Sequence, residues 1–207
     1  MSVMGDALSR AQVAALLTPG GVYRSAQRIS LPMATTVVLN TAIAANTMYA
    51  FPIPMAAGAS ISGVAIQVGT AVAATSAKLG LALSGPDGRP GPLVAEAPTP
   101  VDMNSTALAE LVALFTAPQF APAGVVWGLC VFNGLAQPVT IGAFSSGSQF
   151  VGHLIGAISI NNYTAQGGTV RLTRTHTYAD AFPASLTGWT ATAGANPSSP
   201  IMAAVVA

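Results

Sequence analysis

The amino-acid sequence predicts a mainly β fold, a sandwich or barrel built from short strands. Apolar residues alternate with small or polar ones along several segments, which is typical of strands that bury one face. Turn-forming residues separate these segments, and the 207 residues include 21 glycines and 15 prolines. Many short strands divided by such turns are typical of a sandwich or a barrel. Because apolar residues make up 52% of the chain, a sizeable core can form.

The first predicted strands and one hairpin lie between residues 47 and 94. Alternation with one apolar face is clearest in residues 47–53, 61–70 and 78–84. Residues 85–91 (Gly-Pro-Asp-Gly-Arg-Pro-Gly) then form a dense turn signal with Asp-Gly at its centre. We therefore expect a hairpin between a strand that ends at Ser84 and one that contains Leu93.

Residues 124–132 are apolar on both faces, which is typical of a central strand that is covered on both sides. We predict that Trp127 lies in the sandwich core and that Cys130 is an inert buried thiol. Trp189 lies among Thr, Gly and Ala in a loop-rich stretch. Its substitution should therefore be milder than that of Trp127.

The remaining segments are less regular. Residues 106–116 fit a helix, although a strand is also compatible with them. Residues 145–200 are rich in Ser, Thr, Asn and Gly, so we predict long surface loops with a polar ribbon at 169–178. A final strand is expected at 201–206.

Residues 1–33 predict an N-terminal arm, which leaves 34–207 as the β domain. The arm holds four of the thirteen charged side chains. Asp6 can cap a helix over about residues 6–17. A single short helix is marginal in water, so it either folds back on its own domain or docks on a partner. The candidate docking residues are Leu8, Arg10, Leu16, Arg24 and Arg28.

Charged residues make up only 6% of the chain, against about 25% in ordinary soluble domains. Either neutral polar residues solvate the surface, or neighbouring molecules bury much of it. We favour burial by neighbours and predict an obligate homo-oligomer. The net charge of +1 provides no general attraction to nucleic acid, which is not an expected partner.

The mean hydropathy of +0.60 does not predict membrane insertion, because Gly, Pro and polar residues interrupt every apolar stretch. Asp6 and Arg10 also interrupt any signal-peptide pattern. Cys130 is the only cysteine, so neither an intrachain disulfide nor a thiolate metal cluster can form.

The sequence predicts no enzyme and no cofactor or metal. A metal site or a serine triad would need His153, His176 and Asp180 to converge over long range. A glycosidase needs two carboxylates that face each other across a cleft, and the six acidic residues show no such pair.

A series of short motifs runs from Tyr49 to Val206. In order, they are an aromatic-Pro strand (49–53), Gly-x-x-Ile-x-Val (63–68), Leu-Gly-Leu (79–81), a Gly-x-Pro-Gly-x-Leu-Val turn (88–94), a strand around Trp127 (124–129), Phe182-Pro183, and a closing Pro-hydrophobic strand. Each motif alone is weak. Their shared order resembles a domain of phage fibre, spike and minor structural proteins.

The resemblance implies a jelly-roll-like antiparallel β-sandwich, a trimer, and a place in the virion after assembly in the bacterial cytoplasm, with other capsid or tail proteins as partners. The chain departs from the pattern in two ways. Ala82 follows Leu81 where an aromatic residue is usual, and the long repetitive shaft of a fibre is missing. A surface spike, short fibre or capsid decoration protein, docked through its N-terminal arm, fits this length better.

A second hypothesis is a receptor-binding module in which the loops at 145–195 bind a host glycan. Sugar sites usually present aromatic platforms, and the candidate contacts are Tyr163, Tyr178 and Trp189. The alternative for these three residues is that they pack within the loops.

Overall fold

The computed structural model describes residues 28–29, 37–38, 43–55, 59–138, 140–141, 170–193 and 199–207. Within these residues the secondary structure consists of strands, and no helix occurs. The strand pairs are antiparallel. The predicted mainly β fold is confirmed. In the same residues, no helix is long and apolar enough to cross a membrane.

The strands follow one another closely along the chain. In order, they are β1 (Arg28–Ile29), β2 (Val37–Val38), β3 (Thr47–Met55), β4 (Ala59–Thr70), β5 (Ser76–Ser84), β6 (Pro90–Glu96), β7 (Val101–Asp102), β8 (Glu110–Ala121), β9 (Gly124–Phe132), β10 (Gln137–Pro138), β11 (Thr140–Ile141), β12 (Val170–Thr175), β13 (Thr190–Ala193), β14 (Ser199–Pro200) and β15 (Met202–Val206). The segment 106–116, which the sequence leaves open between helix and strand, is a turn followed by the first half of β8.

The described strands form two large sheets and one small sheet. The larger sheet has the order β13-β12-β3-β9-β5-β6, with β7 beside β5. The second sheet has the order β1-β15-β4-β10, with β8 also paired to β4. The short strands β14, β11 and β2 make the small sheet. β9 lies between β3 and β5, so its position in the middle of a sheet agrees with its two-sided apolar pattern.

One face of the larger sheet turns towards the second sheet. Gly128 in β9 lies so close to Met202 in β15 that a Cβ atom at Gly128 would be 3.1 Å from the Met202 Cβ. Phe51 and Leu81 pair with Gly128 from the flanking strands and therefore share its face. From the second sheet, Ile66 pairs with Met202, and both belong to the same buried cluster.

The opposite face of the larger sheet is crossed by residues 176–189, which we call the strap. It starts at β12, where the His176 amide donates to the Asn46 carbonyl over 3.1 Å. It ends beside β6, where the Leu93 amide donates to the Ala184 carbonyl over 2.9 Å. Between these points Phe182 packs on Gly80 of β5.

The strap corrects part of the prediction for residues 145–200. Residues 170–175 and 190–193 are strands, and the predicted ribbon at 169–178 corresponds to β12 and the start of the strap. Backbone hydrogen bonds to β6 and to the loop before β3 hold the strap against the sheet. The physical reason is that the strap buries Phe182, Leu186 and Trp189.

Trp127 is fully buried, as predicted, but it does not lie between the two sheets. Trp127 pairs with Ala82 across the strands, and two residues along each strand Leu129 pairs with Gly80. These residues share the face on which Phe182 packs, opposite to the face of Gly128. The predicted burial of Trp127 in the core is confirmed, and the alternation of β9 turns its indole towards the strap side.

The predicted boundary at residue 33 does not separate the arm cleanly from the β domain. Arg28 and Ile29 form β1 and pair with Val205 and Ala204 of β15, so these two residues belong to the second sheet. The predicted helix at 6–17 and the docking candidates Leu8, Arg10, Leu16 and Arg24 lie outside the described residues.

Candidate functional site

A groove lies at the β5–β6 hairpin, between the hairpin loop and the end of the strap. The hairpin loop has the predicted Asp-Gly at its centre. The Gly85 amide donates to the Arg89 carbonyl over 2.7 Å, and the Gly88 amide donates to the Gly85 carbonyl over 3.0 Å. Gly88 has a φ of +74°, which completes a three-residue loop with a left-handed residue at its end.

The other wall of the groove is the end of the strap. The Leu186 amide donates to the Gly91 carbonyl over 3.1 Å, which places the strap along the start of β6. Gly188 then turns the chain with a φ of +76°. The Trp189 indole donates from Nε1 to the Pro90 carbonyl over 3.1 Å, and Trp189 is only 7% exposed. The buried indole thus anchors the strap to the hairpin.

The groove between these walls has a volume of about 540 Å³. Apolar lining comes from prolines of the hairpin and from Trp189. Asp87 and Arg89 add an acceptor and a donor group, with Arg89 Nε 4.0 Å from Asp87 Oδ2. Arg89 Nη1 also donates to the Trp189 carbonyl over 3.3 Å. This combination of an apolar lining and a carboxylate–guanidinium pair can bind a small polar molecule with an apolar face, such as a sugar ring.

The structure does not bring the three glycan candidates together. Trp189 lines the groove, but Tyr178 lies at the other end of β5, where its hydroxyl is 2.8 Å from Ser76 Oγ. Ser76 and Ser84 are eight residues apart in one strand, which corresponds to about 26 Å. Tyr163 lies outside the described residues.

Tyr178 belongs to a polar cluster between the strap and β5. The Lys78 ammonium lies 5.4 Å from the centre of the Tyr178 ring and donates to the Asp180 carbonyl over 3.0 Å. Lys78 Nζ is also 3.7 Å from Glu96 Oε1, while Glu96 Oε2 accepts a 2.7 Å hydrogen bond from the Phe182 amide. These contacts explain how a half-buried tyrosine, lysine and glutamate can hold the strap in place.

Two of the three metal and triad candidates, His176 and Asp180, lie in the strap. The His176 ring makes an edge contact with Phe182 at 5.5 Å between ring centres. Among the residues that the structure describes, no group of three His, Cys, Asp or Glu side chains could hold a metal ion. His153 lies outside these residues. Cys130 is buried in the core, and desolvation raises the pKa of its thiol far above the usual range, as expected of an inert residue.

Asp87, Arg89 and Pro90 line the candidate site, whereas the sequence pattern of residues 85–91 predicts only a turn. The available signal was a charged pair set among prolines and glycines in an otherwise weakly charged chain. Comparisons with known proteins add no relative: no protein-family model matches the chain, and no curated protein is significantly similar to it.

Proposed function

We propose that this chain is a non-enzymatic structural component of a phage particle, and that its two large sheets form a jelly-roll-like sandwich. In this proposal it is a surface spike, short fibre or capsid decoration protein that works as a homo-oligomer, with a trimer as the expected state. It is docked on the capsid or tail through its N-terminal arm.

The observation that carries the proposal is the spatial arrangement of the motif series. The aromatic-Pro strand, the strand around Trp127, the Leu-Gly strand and the turn motif lie on β3, β9, β5 and β6, which are adjacent in that order. The Leu-Gly and Phe-Pro motifs, about one hundred residues apart in the chain, are in contact through Gly80 and Phe182. Motifs that pack on one another are what a shared domain architecture requires.

The test is the composition of purified phage particles. A host cell that carries this gene in a phage genome is induced, and intact particles are separated from free protein on a density gradient. Mass spectrometry should find the chain in the particle fraction, and labelled antibodies should place it on the particle surface. Recovery of the chain in the soluble fraction alone would rule the proposal out.

A glycan-binding role is the second candidate, and the groove beside Trp189 is the observation that favours it. A glycan array with the full chain would detect it. The double variant Asp87→Ala/Arg89→Ala should then lose at least tenfold in affinity. Asp180→Ala, an exposed carboxylate outside the groove, is the matched control. No binding by the wild type, or equal loss in the control, would exclude the groove as a sugar site.

A further inference from the structure

Charged residues are distributed very unevenly over the described part of the molecule. In the second sheet, only Arg28 in β1 and Glu110 at the start of β8 carry a charged group. The larger sheet, with its loops and the strap, holds the remainder: Lys78, Asp87, Arg89, Glu96, Asp102, Arg171, Arg174 and Asp180. The described part of the molecule therefore has a charged side and a nearly neutral side.

The neutral side exposes large apolar side chains on β8. Ala113 and Phe115 belong to the buried cluster, so Leu114 between them points away from the core. Leu114 is 58% exposed and Phe120 is 70% exposed. Ile61 in β4 is buried in the cluster and pairs with Gln119, which places the neighbouring Phe120 on the outer face as well.

β8 is an edge strand that is protected by a proline and a register shift and not by charged residues. Among the described strands it pairs only with β4. Natural edge strands are commonly protected by charged residues, above all lysine, yet residues 111–121 contain no charged residue. Pro118 and a register shift opposite Ser62 do interrupt the strand. These interruptions disfavour continuous strand addition, so a partner would contact the side chains of β8.

We propose that the outer face of β8, centred on Leu114 and Phe120, packs against a second copy of this chain. A second copy offers the same surface, which carries no charged residue from 111 to 121, and both copies keep their charged sides in water. Glu110 is exposed at the start of β8, at the end of the strand away from Phe120, and stays at the margin of a contact centred on Leu114 and Phe120. In a chain with only 6% charged residues, contact between copies removes this apolar surface from water. The inference specifies the self-association within the proposed function, on which it rests.

The test compares the oligomeric state of the full chain with that of matched lysine variants by light scattering after size exclusion. Leu114→Lys/Phe120→Lys places two charges in the proposed contact. Leu135→Lys is the control, because Leu135 is 65% exposed but lies close to the β10 pairing with Thr70, about 30 Å along β4 from Phe120. Wild type and control should form a multiple of the 20.6 kDa chain mass, and the double variant should run at 20.6 kDa.

Circular dichroism of each variant separates loss of contact from loss of fold. Should the double variant unfold, Thr116→Lys provides the same test at an exposed polar position of β8. A wild-type monomer at about 10 μM would overturn the inference, as would a folded β8 variant that keeps the wild-type mass. Dissociation of the Leu135→Lys control to the same extent would also overturn it. All three outcomes are independent of whether the chain is found in phage particles.

Discussion

The contact between Gly80 and Phe182 shows why one residue of the Leu-Gly motif has no side chain. A Cβ atom at position 80 would lie 2.8 Å from two ring atoms of Phe182 and 3.0 Å from the Ala95 carbonyl oxygen. Real Cβ atoms do not approach other atoms that closely, so the strap or β6 would have to move. Glycine at this position therefore lets the strap pack closely on the sheet.

Gly80→Ala should accordingly destabilise the protein by about 1–3 kcal/mol, the usual cost of inserting a methyl group into a well-packed site. Urea unfolding followed by fluorescence measures the change. The double variant Gly80→Ala/Phe182→Leu tests the mechanism, since a smaller side chain relieves the overlap. The double variant should lose less unfolding free energy than the two single variants lose in sum. Strict additivity would show that overlap with Phe182 does not cause the destabilisation by Gly80→Ala.

The Trp127 side chain is both buried and hydrogen-bonded. Its indole Nε1 donates to Ser84 Oγ over 3.0 Å, and the residue is fully buried. Trp127→Ala should lower the free energy of unfolding by about 3–5 kcal/mol. Trp189→Ala should also destabilise the protein, because this indole is nearly buried. We expect a smaller loss than for Trp127→Ala, because Trp189 lines the groove and fewer protein atoms surround it. Chemical denaturation of both variants would check the order, and a larger loss for Trp189 would contradict it.

Among the strands, the apolar pattern predicts those that have a strong local signal. Alternation predicts β3, β4 and β5, and a two-sided apolar run predicts β9. These four strands and β15 lie within a few residues of their predicted bounds. The pattern of residues 106–116 could not distinguish a helix from a strand. Pairing with β4 decides it, and this non-local interaction leaves no local signal. For the same reason β13 was missed, since its four residues depend on pairing with β12.

The candidate site was less predictable than the strands. The turn at 85–91 was evident from its Gly, Pro and Asp residues. The strap returns to this turn, where the Trp189 indole donates to the Pro90 carbonyl. These two residues are 99 positions apart in the chain, so no local sequence pattern indicates the contact. Composition indicated only a loop-rich stretch there. The two-sided apolar pattern of β9 predicts that Trp127 is buried, but it does not indicate which of the two faces meets the second sheet.

Gly88 in the β5–β6 hairpin loop has a left-handed backbone conformation. Its φ of +74° is unfavourable for L-residues with a side chain, and nothing lies within 4 Å of a Cβ atom built there. Any loss of stability in Gly88→Ala therefore reports backbone strain alone. The left-handed conformation costs a residue with a side chain about 1–2 kcal/mol. Gly88→Asn is the control, because asparagine tolerates this conformation better. Thermal unfolding should give the order wild type, Asn, Ala, and equal Tm values for all three would contradict the strained turn.

At the scale of the whole molecule, the two sheets have different surfaces. The larger sheet is covered by the strap, and most of the described charged groups lie on this side. The second sheet carries few charges and exposes Leu114 and Phe120. In a particle protein, this division would direct the neutral sheet towards neighbouring copies and the charged side, with its groove, towards solvent. In the proposed function, attachment to the particle is assigned to the N-terminal arm.

Two truncations test the arm, because β1 lies inside the predicted boundary. Deletion of residues 1–27 leaves every described strand intact, so the protein should keep its Tm while its incorporation into particles is lost. Deletion of residues 1–33 also removes the pairing of Arg28 and Ile29 with β15, and Tm should fall by about 2–4 °C for each kcal/mol lost. Thermal unfolding and quantitative mass spectrometry of particles measure both effects. Normal incorporation of the shorter deletion would refute docking through the arm, and a large loss of Tm in that variant would instead make residues 1–27 part of the folded domain.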